Sequence, residues 1–180
     1  MKKITYILAT TILLTGCFGI GNAPITEAPL GYQIFENNEL QITYPETWEV
    51  LTQENFNNQV PNSTIVSIRN KIKSDIFTAN LNITSGQVKD MTANDLQKAN
   101  IEKLKNSLLN FELTETTKKD NGNLIRFSGK KSANEAIINF AQLITTNQDM
   151  SYIVTTSHIP GEDESVVKDL DEMLDSFSLK

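Results

Sequence analysis

The stretch ITYPETWEV, residues 42–50, holds the only tryptophan of this 180-residue chain, Trp48, three residues after Pro45. Leu40, Ile42 and Tyr44 alternate with Gln41 and Thr43, the period of a half-buried strand. Proline lacks the amide donor of a sheet ladder, so Pro45 ends that strand and helps set a turn. Trp48 and Val50 then resume on apolar positions. A fully covered indole contributes about 2–3 kcal/mol, so Trp48 is expected in the core. The competing reading makes it an exposed anchor for a partner.

Outward from this stretch the pattern is mostly strand. Val66 and Ile68 alternate with Ser67 and Arg69, and residues 77–84 put apolar side chains at odd positions and polar ones at even positions. A helix follows: Thr92 and Asp95 have capping-box spacing, and Leu96, Ile101, Leu104 and Leu108 form one stripe. Residues 111–117 and 124–129 flank the turn signal Asp120-Asn121-Gly122. Residues 135–146 are apolar on both faces, which marks a strand covered on both sides. A turn at 147–149 leads into a strand over 152–156. Val166, Val167, Leu170, Met173, Leu174 and Phe177 then give helical spacing over 162–177, behind the breaker Pro160-Gly161. The expected class is α+β, a mainly antiparallel sheet flanked by helices.

The other end of the chain reads as an address. Lys2 and Lys3 precede an apolar run from Ile4 to Leu14, too short to span a bilayer and suited to a signal peptide. Leu14-Thr15-Gly16-Cys17 resembles a bacterial lipobox, in which Cys17 would receive diacylglycerol and further acyl chains. Cys17 is the only cysteine, so the alternative is an unpaired thiol in an exported protein. Two or three acyl chains would hold a protein stably on a membrane. Residues 1–16 are read as the signal peptide, 17–31 as a lipidated tether with its glycines and prolines, and 32–180 as the domain.

Loss of the leader leaves 14 basic residues against 22 acidic ones, a formal charge of −8. That argues against nucleic acid, which requires clustered Lys and Arg. It also argues against an electrostatic grip on anionic lipid head groups, leaving the acyl group as the anchor. The 19 asparagines suit a polar, turn-rich surface, on which the glycosylation-like triplets at Asn62 and Asn82 are chance matches.

The chain offers little catalytic chemistry. His158 is its only histidine and reads as a structural or surface residue. Neither a G-x-S-x-G elbow nor a glycine-rich phosphate loop is present. Asp169, Asp171, Glu172 and Asp175 lack the ligand spacing and central glycine of a calcium loop, and read as a solvated helix face. Lys118 and Lys119 lie at the hairpin turn while Lys130 and Lys131 lie at its far end, roughly 24 Å away. No metal site and no cofactor is expected beyond the acyl modification of Cys17.

The order of these elements resembles the PsbP-like family. The family's domains open with an aromatic-proline pair and a tryptophan three residues on, as do Tyr44, Pro45 and Trp48. Asn80-Leu81-Asn82-Ile83, the turn at Gly122-Asn123-Leu124 and Tyr152-Ile153-Val154-Thr155 occur in matching order. The chain closes with Leu174-Asp175-Ser176-Phe177-Ser178-Leu179, like the family's final leucine, serine-phenylalanine and short strand. The resemblance covers residues 32–180 and implies an α/β/α sandwich shared with PsbP and the Ran-binding Mog proteins. It also implies a binding or assembly role in place of an active site. No residue here can be assigned to photosynthesis, manganese, calcium or Ran, and a shared fold is not a shared function.

These readings combine into an expectation. The chain would be a lipid-anchored lipoprotein of a bacterial cell membrane or outer membrane, facing the periplasm or exterior and serving an unidentified envelope protein or complex. The alternative is an envelope lipoprotein that binds a small ligand or a divalent cation. A hydrolase with an unrecognised site is the third reading.

Overall fold

The computed structural model describes residues 27–56 and 60–180. The leader, Leu14, Thr15, Gly16, Cys17 and the tether up to residue 26 lie outside the described residues. In chain order the elements are β1 (Tyr32–Glu36), β2 (Leu40–Pro45), β3 (Trp48–Thr52), β4 (Thr64–Asn70), β5 (Asn80–Gln87) and α1 (Ala93–Ser107). Then come β6 (Leu109–Lys119), β7 (Gly122–Lys130), β8 (Ile138–Asn147), β9 (Met150–His158), α2 (Glu164–Ser176) and β10 (Ser178–Leu179). Among the described residues no helix is long and apolar enough to cross a membrane.

The strands form two antiparallel sheets: a small one ordered β1-β2-β10 and a large one ordered β3-β4-β5-β9-β8-β7-β6. Pro45 closes β2 and Trp48 opens β3, so the opening stretch carries the chain from one sheet to the other. Trp48 is 2% exposed, packed with Leu40, Ile42, Val66, Ile68, Leu81, Ile83 and the α2 residues Leu170, Met173 and Leu174. This is the larger core, between one face of the large sheet and the layer made by α2 and the small sheet. On the opposite face Ile125, Phe127 and Ile144 meet the α1 stripe Leu96, Ile101, Leu104 and Leu108. Phe127 lies 5.0 Å from Phe140 and 5.6 Å from Phe111, ring centre to ring centre, which ties the second core together.

The expected signals resolve into identifiable contacts. At the start of α1 the Thr92 hydroxyl accepts from the Asp95 amide at 3.2 Å, and the Asp95 carboxylate accepts from the Thr92 amide at 3.1 Å. Asp163 caps α2, accepting from the Ser165 amide at 2.8 Å. Asp120 and Asn121 form the two-residue turn between β6 and β7, and Gly122 follows with φ +151°. A Cβ on Gly122 would stand 2.6 Å from the Ile144 carbonyl oxygen, so the β7–β8 contact requires glycine there. β8 is covered on both faces at residues 141–144, as its sequence implied.

Three expectations needed correction. β5 starts at Asn80 and continues to Gln87, three residues later at each end than the alternation marked, because β9 pairs it as far as Gln87–Met150. Gln41 and Thr43 are buried, not wet, because β2 is the middle strand of its sheet with α2 packed against it. β1 precedes the first strand marked by alternation; the Asn37-Asn38 turn between Phe35 and Leu40 was its signal.

Candidate functional site

The two faces of the large sheet are covered unequally. α1 packs over β6, β7 and β8, while among the described residues the β3–β5 half of the same face carries no helix. Side chains alternate along a strand, and partners across an antiparallel pair share a face. One row therefore reads Leu51, Ser67, Asn82, Thr155, Gln142 and Ile125 from β3 to β7. The next reads Glu49, Arg69, Asn80, Ser157, Phe140 and Phe127. Both rows change from polar to apolar where α1 begins its cover.

The polar half is ordered by its own hydrogen bonds. Asn82 Nδ2 donates to Asn80 Oδ1 at 2.8 Å, and Asn80 Nδ2 donates to the Thr78 carbonyl at 2.9 Å. At the border Asn100 of α1 donates to Gln142 Oε1 at 2.6 Å, and Gln142 Nε2 donates to Thr155 Oγ1 at 3.1 Å. Among the described residues the hydroxyl of half-buried Ser67 and the Asn82 Oδ1 have no protein partner, which leaves them available as a rotatable donor and an acceptor. Arg69 is tied to Glu49 at 2.5 Å, and its guanidinium holds the Glu49 carboxyl below the usual carboxylate range. Two recesses, each of about 670 Å³, meet at Asn80 and Asn82. One is bounded by Phe56, Val60 and Pro61, the other by the loops 71–79 and 131–137. The face can bind a polar surface through uncharged groups already held in place. It carries neither a histidine nor a thiol.

The residues singled out from sequence gather elsewhere. Tyr44, Pro45, Trp48, Ser176 and Phe177 sit where β2, β3 and α2 meet. Trp48 Nε1 donates to Asp169 Oδ2 at 3.0 Å, the Thr43 amide donates to Ser176 Oγ at 3.0 Å, and Phe177 is 1% exposed. They hold the fold together and line none of the open face. His158 lies on the α2 side, half-buried, with Nδ1 2.9 Å from the Ile159 carbonyl.

The acidic residues of α2 are not simply a solvated face. Asp169 holds Trp48, Asp171 meets Arg126 at 2.9 Å, Asp175 meets Lys119, and Glu172 accepts from the Tyr32 hydroxyl. Their partners come from β1, β3, β6 and β7, far away in sequence, which is why helical spacing alone did not reveal them. The Glu172 bond pushes the Tyr32 hydroxyl up to about 12, and the same bond lowers the Glu172 carboxyl. Among the described residues no three His, Cys, Asp or Glu side chains are grouped to hold a metal ion. The alternation of Asn80, Asn82 and Thr84 was legible as a wet face. The one-sided placement of α1 that leaves it open was not.

No family model matches the chain, and no curated protein matches it by sequence. Solved structures do match. Cyanobacterial PsbP from Synechocystis sp. PCC 6803 superposes with a TM-score of 0.57 at 17% identity, covering 93% of this chain and 99% of that one. LpqN of Mycobacterium tuberculosis, a protein involved in cell envelope biogenesis, gives 0.57 at 12% identity over 78% of this chain and 83% of that one. PA94 of Pseudomonas aeruginosa gives 0.50 at 12% identity over 78% and 94%. At these identities the likeness speaks for the backbone arrangement alone. Two antiparallel sheets, a helix on each side of the larger one and a closing strand after the second helix make this a PsbP-like fold.

Proposed function

We propose that the chain is a membrane-anchored extracytoplasmic lipoprotein whose PsbP-like domain binds and helps assemble an envelope protein or complex without catalysing a reaction. The observation that carries this reading is the open polar half of the large sheet, pre-ordered by Asn80 and Asn82 and, among the described residues, left uncovered by α1. Binding is the chemistry such a face supplies: donors and acceptors fixed before contact lose little entropy on association. LpqN, with a similar backbone, is involved in cell envelope biogenesis, which agrees in compartment.

Two experiments separate the parts of this reading. A photo-crosslinking residue at Asn82 should capture one envelope protein that the same residue at Lys89, two residues past the far end of β5, does not capture. Equal capture at both positions refutes the face. Cys17→Ser should release the protein from the membrane or block its processing, and unchanged attachment refutes the lipid anchor.

A further inference from the structure

The recess between the loops 71–79 and 131–137 is too deep to be explained by contact with a flat partner. It holds about 670 Å³. Asn80 and Asn82 of β5 and Thr155 and Ser157 of β9 form its floor. Asn80 pairs with Ser157 and Asn82 with Thr155, so the four side chains share one face of the sheet. One loop contributes Ile76 and Phe77 to the walls, and the other contributes Ala136. Ile76 is 70% exposed, an apolar group that the fold itself leaves uncovered.

The polar groups of the floor are only partly used. Ser157 is 4% exposed, and among the described residues its hydroxyl has no protein partner. A buried hydroxyl without a partner lowers stability, so its presence calls for a group that completes it. Thr155 Oγ1 accepts from Gln142 Nε2 at 3.1 Å, which leaves its own proton free. Asn82 Nδ2 is spent on Asn80, which leaves Asn82 Oδ1 as an acceptor. These three groups are neighbours on adjacent strands, about 5–7 Å apart. No ionisable group lies on the floor. Lys130, Lys131 and Glu135 stand on the rim, where Lys130 Nζ donates to the Ala133 carbonyl at 3.1 Å and Lys131 and Glu135 are exposed.

We infer that this recess is the binding site of an uncharged amphipathic small molecule. Its apolar body lies against Ile76, Phe77 and Ala136, and its hydroxyl or amide head bonds Ser157, Thr155 and Asn82. The head must both donate and accept, because Asn82 Oδ1 only accepts while the two hydroxyls can do either. A charged head would leave water for a floor with no counter-charge, which costs more than the floor's bonds return. A wholly apolar molecule would leave the Ser157 hydroxyl unpaired. The volume falls in the range of sites for drug-sized ligands, which combine apolar walls with a few placed polar groups. The inference does not rest on the protein partner proposed above, and crosslinking at Asn82 and the following titration report on the two separately.

The test is a titration of the full chain with 1-octanoylglycerol, an uncharged amphiphile with a hydroxylated head, below the concentration at which it aggregates. Backbone amide resonances report the contact. Those of Phe77, Thr155 and Ser157 should shift saturably with a Kd at or below about 1 mM, while that of Lys89 stays in place. Ser157→Ala removes no protein contact and should weaken binding about fivefold, the loss of one neutral hydrogen bond. Ile76→Ser should weaken it about tenfold. Ile72→Ser, in the same loop and 81% exposed but outside the recess, should bind as wild type does. Octanoate and octylammonium, with the same chain length and charged heads, should bind at least about tenfold more weakly. The absence of a saturable shift, a shift that extends to Lys89, equal binding of either charged analogue, or wild-type affinity in both Ser157→Ala and Ile76→Ser each overturns the site.

Discussion

Replacing Trp48 with Phe tests the junction on which the fold turns. The indole is 2% exposed and donates at 3.0 Å to Asp169, a half-buried carboxylate on α2. Phe keeps one ring and loses the other together with the donor. The lost ring removes about 40 Å² of buried apolar surface, or about 1 kcal/mol. A hydrogen bond to a charged group contributes about 1.5–3 kcal/mol, reduced here because water can reach Asp169 once the indole is gone. The expected loss is about 2–3 kcal/mol, and Trp48→Ala should cost about 3–5 kcal/mol. Asp169→Asn keeps an acceptor and should cost less than half as much as Trp48→Phe. Guanidinium unfolding followed by far-ultraviolet circular dichroism measures all three without needing the tryptophan signal. A Trp48→Phe loss below about 0.5 kcal/mol, the range of inert surface changes, would refute the burial argument. A wild-type emission maximum typical of exposed tryptophan would do the same.

Other outcomes follow from particular contacts. Gly122→Ala should destabilise by at least about 2 kcal/mol, from strain at φ +151° and a 2.6 Å approach to the Ile144 carbonyl; equilibrium unfolding within error of wild type contradicts it. Gln41 is 1% exposed and its Nε2 has no partner among the described residues, so Gln41→Met should raise stability by about 1–3 kcal/mol; a lower denaturation midpoint with unchanged slope counts against this. The Tyr32 hydroxyl is raised from 10.0 to about 12 by its bond to Glu172. A raised value means that the folded state holds the proton more tightly, so this stabilisation is complete below the unfolded value and is lost as pH rises from there through about 12. Tyr32→Phe should flatten the alkaline limb of the stability profile in that window, and an unchanged limb rejects the linkage.

The sequence was most informative where structure is local. The capping box at Thr92 and Asp95, the Asp120-Asn121 turn and the α1 stripe each depend on near neighbours in the chain, so spacing alone exposes them. The tryptophan after Pro45 was readable as a core residue because a buried indole is the common outcome. What stayed hidden depends on distant pairing. Gln41 looks like a wet residue until β1, β10 and α2 enclose its strand. The carboxylates of α2 look solvated until Tyr32, Trp48, Lys119 and Arg126 arrive from four strands. The candidate face combines both cases: its polar alternation was plain in Asn80, Asn82 and Thr84, but a helix over those strands would have buried it. The exposed isoleucines Ile72, Ile76 and Ile137 likewise come together only when the loops at 71–79 and 131–137 are brought to the same end of the sheet.

The pairing order also governs when the domain can form during synthesis. β2 has β1 on one side and β10, at residues 178–179, on the other; β5, at 80–87, gains its inner partner only from β9, at 150–158. The larger core also needs Leu170, Met173, Leu174 and Phe177 from α2 and its cap. The first half of the chain therefore cannot bury its apolar faces as it emerges from the ribosome, and closure waits for the last residues. Such long-range pairing folds slowly. A nascent chain of this topology therefore stays open until its final segment is made.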